Sequence, residues 1–338
     1  MRSFYIKKLG SQELGSPKAD GTISRGRYIY ISKDCAGFFP HLSKLQNNDT
    51  VVLPIIAPFS DAKIYSRFVY HNDKFNIAGG TRDEYRLYLN KELDKDRGYF
   101  QVNDIVVFER IDKIIDGSVS PLYFIHIFNA TNENYSFLNE LVENSEIRGN
   151  HALYEGDLPF IPVSTFNEEE RAVVIPEDVK KEAVEAQSEI IQTPDDTSIE
   201  SIRGANLFNS VSFRDFVLLG YGYKCAITEK SIVWNALNNL EAAHIQPKAH
   251  SGTFLPCNGI ALSRDMHWAF DKGFITINTD FKVVVHDEVK NTMLKEFIDK
   301  KIIVPPDPFF QPEKKYLEHH RANIFGLFLR SGSIRSDF

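Results

Sequence analysis

The sequence predicts a multidomain protein with a mainly-β N-terminal domain, an acidic connector and a C-terminal α+β domain. Three observations carry this expectation. Short runs rich in Ile, Val, Tyr and Phe recur between residues 25 and 129, bounded by Gly, Asn, Asp and Pro clusters. Residues 166–200 hold eleven acids against three bases. Beyond them a helical entry leads to short mixed strands and helices. A chain of 338 residues accommodates two domains at roughly 150 residues each. The expected boundaries are 1–160, 161–200 and 201–338.

Composition excludes several classes. The chain is 43% apolar and 25% charged, which is ordinary globular usage and not that of a disordered, collagen-like or disulfide-scaffold protein. No apolar run approaches the ~18 to 20 residues of a membrane span, so no membrane association is expected. The start, MRSFYIKKLG, lacks the apolar stretch of a secretory signal. Cys35, Cys225 and Cys257 are few and widely spaced. They suit a reducing, cytoplasmic setting without a disulfide framework. The net charge of −7 argues at first against nucleic acid, but the 166–200 segment alone contributes −8. The rest of the chain is close to neutral, which neither announces nor excludes DNA.

In chain order, RGRYIYIS, TVVLPII, AKIYSRFVY, EYRLYLN, DIVVFERI and PLYFIHIFN read as strands of a sandwich or barrel. Glu177 to Ile191 is helix-prone between Pro176 and Pro194, and its acids and lysines suit an exposed connector. The other readings of this segment are an acidic competitor for a basic face and part of a dimer contact. Ser212 to Leu219 opens the last domain as a helix. Leu240 to Ile245 reads as a strand ending at Pro247. Asn258-Gly259 reads as a turn opening into a helix over about Ser263 to Asp271 that stops at Gly273, and Phe274 to Ile277 begins a new strand.

Within this last stretch His244, Asn258 and His267 are the polar groups whose types fit phosphodiester hydrolysis. That reaction needs an activated water, a cation on the phosphate and a stabilised leaving oxygen. A neutral His is a suitable base, a second His can hold a divalent ion, and Asn can pin a loop through a backbone carbonyl. Asp271 lies four residues after His267, so both fall on one helix face. Lys248 and Arg264 flank the motif as phosphate contacts or as plain surface charges. His319 or His320 could touch the site or cap a helix, and His250 and His286 lack such support.

These residues resemble the HNH nucleases with their ββα-metal motif, in particular a subgroup with an AAHI-x-P strand. The matching segments are Ala242-Ala243-His244-Ile245-Gln246-Pro247, Asn258-Gly259, Asp265-Met266-His267-Trp268-Ala269-Phe270-Asp271 and, later, Leu317 to Phe325. The resemblance covers roughly residues 212–326. It implies that His244 is the general base, that Asn258 orients it, and that His267 is a metal ligand for Mg²⁺ or Mn²⁺. The family often places Asp or His directly before the base, where this chain has Ala243. Glu241, two residues earlier on the same strand face, and Asp271 are both candidates to replace that ligand. Many relatives also carry paired CxxC zinc knuckles, but Cys225 is followed three residues later by Thr228, so no structural zinc is expected.

In the N-terminal domain, strand alternation puts Arg82, Glu84, Arg86 and Tyr88 on one face of GTRDEYRLYLN. Arg25 and Arg27 share a face at the mouth of another strand. Arg can grip guanine with two bonds and Glu can accept from cytosine, whereas a solvated sheet would use the same row as a cross-strand ion-pair ladder. The stretch from IKKLG to about FERI resembles the N-terminal recognition domain of EcoRII-type restriction endonucleases, a DNA-binding pseudobarrel. The features are Lys7-Lys8-Leu9, Tyr28-Ile29-Tyr30-Ile31, Phe38-Phe39-Pro40, Thr81 to Arg86 and the late strand Val102 to Phe108. The resemblance implies DNA contacts by Lys8, Arg25, Arg27, Tyr30, Arg82, Glu84 and Arg86. Together the two resemblances imply a sequence-specific double-strand DNA endonuclease, a restriction enzyme acting as a homodimer, with a methyltransferase as a possible companion. The alternatives are a nuclease that requires modified DNA and a non-catalytic DNA-binding protein.

Overall fold

The computed structural model describes residues 2–15, 27–73, 80–115, 118–163, 171–192, 206–234 and 237–332. It divides into two compact units, Met1–Phe208 and Asn209–Phe338.

The first unit is built on one nine-stranded sheet. Its strands are β1 (Arg2–Lys8), β2 (Tyr28–Ile31), β3 (Thr50–Ile56), β4 (Lys63–His71), β5 (Glu84–Tyr88), β6 (Ile105–Ile115), β7 (Ser118–Phe128), β8 (His151–Gly156) and β9 (Val173–Val174). Their order is β2-β5-β4-β3-β7-β6-β1-β8, with β9 alongside β4. The sheet curls into a half-barrel. Its first and last strands come together where the Tyr30 ring lies 5.6 Å from that of His151. The Tyr5 hydroxyl bridges this seam, 2.7 Å from His151 Nδ1 and 3.4 Å from the Tyr30 carbonyl.

Alternation along β1 divides the core. Tyr5 joins Phe39, Phe68, Phe108 and Tyr123 inside the curl. Phe4 and Ile6 point the other way, onto Leu138 and Val142 of helix α2 (Tyr135–Glu143), which follows the short α1 (Ser11–Leu14). The six strands expected from composition are present. β1, β8 and β9 were not expected; β1 is covered on both faces and so reads as a short unbroken apolar run without a period of two.

Over its described residues, 161–163 and 171–192, the expected free connector at 161–200 belongs to the first unit. β9 pairs with β4 through Lys63 and Val173. Helix α3 (Glu177–Gln192) buries Val179, Ala183, Ala186 and Ile190, a helical stripe of mostly small residues. Asp178 and Glu182 each lie 3.2 Å from the Arg67 guanidinium on β4. The density of charge masked this stripe in the sequence.

The second unit opens with α4 (Ser210–Gly220). Asn209 caps it by accepting from the amides of Val211 and Ser212, while Ser212 Oγ accepts from the Asn209 amide. Three two-stranded ribbons follow: β10 (Val233–Trp234) with β11 (Leu237–Asn238), β12 (Leu240–His244) with β13 (Gly259–Ser263), and β14 (Ile275–Ile277) with β15 (Val283–Val285). Helix α5 (Arg264–Asp271) continues directly from β13, and α6 (Lys314–Asn323) and α7 (Leu327–Gly332) close the unit. Asn258-Gly259 therefore opens a strand and not the helix itself, a correction to the sequence reading. The run Gly259–Ser263 is buried along its whole length and so shows no alternation that would mark it as a strand. Among the described residues no helix is long and apolar enough to cross a membrane.

Gly273 ends α5 with a φ of +74°, and a Cβ there would lie 2.0 Å from the Ile324 carbonyl oxygen. Both the backbone conformation and the close approach require glycine. Gly273→Ala should destabilise the second unit by roughly 1–3 kcal/mol or more, read as a lower denaturant midpoint for that unit.

Candidate active site

The β12–β13 ribbon and α5 form a ββα unit. Antiparallel pairing sets His244 opposite Gly259 and Glu241 opposite Leu262. The loop between the strands is closed by Asn258, which is fully buried. Its Oδ1 accepts from the Gln246 amide at 2.8 Å, and its Nδ2 donates to the carbonyls of Gln246 at 3.1 Å and Thr253 at 2.9 Å. The Ile245 amide donates to the Asn258 carbonyl at 2.8 Å. All three hydrogen bonds of this carboxamide go to backbone groups of the loop that follows His244.

The His244 ring is held by packing. Phe213 of α4 stacks on it at 4.1 Å and 16°, and Phe254 stands nearly edge-on at 5.4 Å. Its Nε2 is buried without a hydrogen-bond partner. Burial, reinforced by the nearby Lys248 and His267 charges, lowers the His244 pKa to about 4. The imidazole is therefore neutral at ordinary pH. Gly259 makes the stack possible, since a Cβ there would fall 2.3 Å from Val217 Cγ2 and 2.8 Å from the Phe213 ring. The roles of Phe213 and Phe254 were not legible in the sequence, because nothing in the motif spacing marks residues that act through ring contact.

His267 on α5 lies between two carboxylates. Its Nδ1 is 2.7 Å from Glu241 Oε2, and its Nε2 is 3.3 Å from Asp271 Oδ2. Arg264 Nε reaches the other Glu241 oxygen at 3.3 Å. The two residues weighed against each other as substitutes for the missing ligand thus take different places on the imidazole. Ala243 is buried and offers no donor atom. Among the described residues no three His, Cys, Asp or Glu side chains converge as a metal cluster. Lys248 Nζ sits 4.1 Å above the Phe254 ring.

The other histidines are structural or remote. His320 is buried, stacked on Phe270 at 3.7 Å, with Nε2 donating to the Phe270 carbonyl and Nδ1 facing the Thr276 hydroxyl at 2.9 Å. His319 faces His250, with Nε2 and Nδ1 3.1 Å apart. Cys35, Cys225 and Cys257 are buried free thiols.

In the first unit, Glu84, Arg86 and Tyr88 share one face of β5, with Tyr85 and Leu87 buried on the other. Arg86 pairs with Glu84 and lies 4.0 Å over the Tyr28 ring. Arg82 is 3.5 Å from Glu84 and 3.9 Å from Asp73. Tyr30 pairs opposite Arg86. Lys8 Nζ donates to Asn139 Oδ1 at 2.8 Å. Arg27 departs from the expectation of a groove-facing residue. It is turned inward, paired with Asp94 and donating to the carbonyls of Leu14 and Phe100, so its donors hold the fold. Arg25 lies outside the described residues.

Residues 225–278 match the family model described as HNH endonuclease. The second unit thus carries an HNH endonuclease domain, and the match includes Glu241, His244, Asn258, His267 and Asp271. Among solved structures, the "Modification dependent TagI restriction endonuclease" is similar at 22% identity and a TM-score of 0.28, over 33% of this chain and 37% of that one. The matched part is thus a little over a third of that protein, and so distant a likeness adds nothing to the argument. No curated protein matches the sequence.

Burial lowers the pKa of His71 and His244 to about 4 and of His320 to about 3. Each imidazole binds its proton more readily when unfolded, where the value is about 6.5. Their contribution to stability is present above about pH 6.5 and is lost as the pH falls toward 4. Urea midpoints should fall over that window, and His320→Phe should flatten the slope for the second unit.

Proposed function

We propose that this protein is a metal-dependent, sequence-specific double-strand DNA endonuclease of the restriction type. The observation that carries the proposal is the ββα arrangement of a neutral His244, the Asn258 clamp and the Glu241–His267–Asp271 array within a segment that matches HNH endonucleases.

The donor set fits a divalent cation. A carboxylate on Nδ1 of His267 fixes the tautomer that leaves Nε2 as a lone-pair donor, and that nitrogen faces Asp271. His267 and Asp271 would then hold Mg²⁺ or Mn²⁺, with Glu241 orienting His267. Few protein ligands suit Mg²⁺, which keeps most of its waters and binds substrate phosphate directly. When bound, such an ion supplies positive charge to the scissile phosphate and the leaving oxygen. His244 takes a proton from the attacking water through Nδ1, because Nε2 is buried away from solvent. Asn258 keeps the strand end from swinging, and the aromatic stack keeps the base neutral. Lys248, beside the base, is positioned to meet phosphate charge.

The first unit would supply the address. Arg82, Glu84 and Arg86 pair with one another in the free protein, and DNA would have to exchange those pairs for base and phosphate contacts. Lys8 and Tyr30 are further candidates on the same reading. One site cuts one strand, so double-strand cleavage calls for two copies of the chain, and a methyltransferase would protect host DNA.

Digestion of unmodified phage DNA with Mg²⁺, followed by end sequencing, tests this reading. Discrete fragments with a common end sequence are expected, and His244→Ala should abolish them while leaving DNA binding intact. Cleavage retained in His244→Ala would overturn the base assignment. Cutting of methylated DNA alone would replace sequence specificity by modification dependence. Arg86→Ala should weaken specific binding by roughly 1–3 kcal/mol, measured as a gel-shift midpoint, and unchanged affinity would remove it from the recognition face.

A further inference from the structure

The β10–β11 ribbon is an apolar projection that the catalytic reading does not use. Trp234 pairs directly opposite Leu237, so the two side chains share one face. Trp234 is 71% exposed, and Ile232, Val233 and Leu237 beside it are also exposed. The ribbon forms its own two-stranded sheet and joins no other. A two-stranded ribbon is at best marginally stable alone, and contiguous exposed apolar surface of this kind marks a binding site.

The root of the ribbon is tied to the candidate active site. The Ile232 amide donates to Asn239 Oδ1 at 2.8 Å, and the Asn239 carbonyl accepts from the amide of Arg264, the first residue of α5. β12 follows after the single residue Asn239, so Leu237 stands four residues before Glu241. Four residues of extended chain span at most about 14 Å, well under the ~34 Å of one duplex turn. The ribbon therefore stands within one duplex turn of a phosphate held at His244 and His267. Lys224 and Lys230 are exposed on the turn beneath it, beside Glu229, which pairs with Lys300, and Arg264 at its root is paired with Glu241.

We propose that the β10–β11 ribbon is a DNA wedge, with Trp234 and Leu237 pressing between base pairs next to the phosphodiester that is cut, while the surrounding lysines hold the backbone. Apolar wedges of this type unstack a base step and bend the duplex. The inference rests on the nuclease reading of the second unit.

The chain has two tryptophans, Trp234 and Trp268. In the His244→Ala, Trp268→Phe protein, Trp234 is the sole indole and cleavage is blocked. Circular dichroism checks that this variant is folded. Titration with a fluorescein-labelled mixed-sequence duplex, in Ca²⁺, gives binding by anisotropy, and the same titration with unlabelled duplex gives Trp234 emission. Stacking predicts quenching of about twofold on binding, and Trp234→Ala in the His244→Ala background should weaken affinity about tenfold without changing its salt slope. Binding with unchanged Trp234 emission, or Trp234→Ala with undiminished affinity, overturns the wedge and leaves the nuclease reading standing. No binding of DNA at all overturns both. A Trp234→Ala protein that sediments as monomer where the parent is a dimer, with DNA affinity unchanged, assigns the ribbon to self-association and overturns the wedge.

Discussion

The site of the second unit depends on one buried carboxamide. Asn258 satisfies its oxygen and both its amide hydrogens on backbone groups of the loop that follows His244. A fully satisfied buried amide is rigid, and leaving any of its partners unpaired costs about 1–3 kcal/mol. That clamp fixes the end of β12, so His244 meets Phe213 face to face and Glu241 meets His267 on α5. Gly259 follows directly and has no side chain, which lets α4 approach closely enough for the stack to form. Backbone geometry, ring packing and imidazole charge state thus follow from two adjacent residues.

The same economy of paired charges governs the first unit. Arg67 is shared between Asp178 and Glu182, Arg27 is held by Asp94, and Arg82, Glu84 and Arg86 form a short chain on β5. Pairs near the surface contribute little to stability, so exchange for phosphate or base edges is not energetically prohibitive. Arg27 is different. Its side chain is nearly buried and its donors reach two carbonyls besides the carboxylate, so removing it would leave buried acceptors unpaired.

Much of this was legible in the sequence. The strands TVVLPII and AKIYSRFVY emerge from composition because each is apolar and bounded by turn residues. The alternation around Arg86 was readable because one face of β5 is buried. The candidate residues His244, Asn258 and His267 were readable as an ordered set along the chain. What escaped has physical causes. β1 and β13 are covered on both faces and lose the period-two signal. The charged surface of α3 hid a stripe of small buried residues. The contacts of Phe213 and Phe254 with His244 are long-range packing that no local pattern encodes. The division of Glu241 and Asp271 between the two nitrogens of His267 also needed three-dimensional geometry.

Burial of the His244 ring against Phe213 and Phe254 keeps the imidazole neutral. Nitrogen-detected NMR of the imidazoles across pH 4 to 8 tests it most directly, with His244→Ala identifying the resonance. The His244 ring is expected to stay neutral throughout the physiological range and to titrate near the bottom of the scan, at about 4. A His244 ring that titrates at or above the ordinary value of about 6.5 would contradict it.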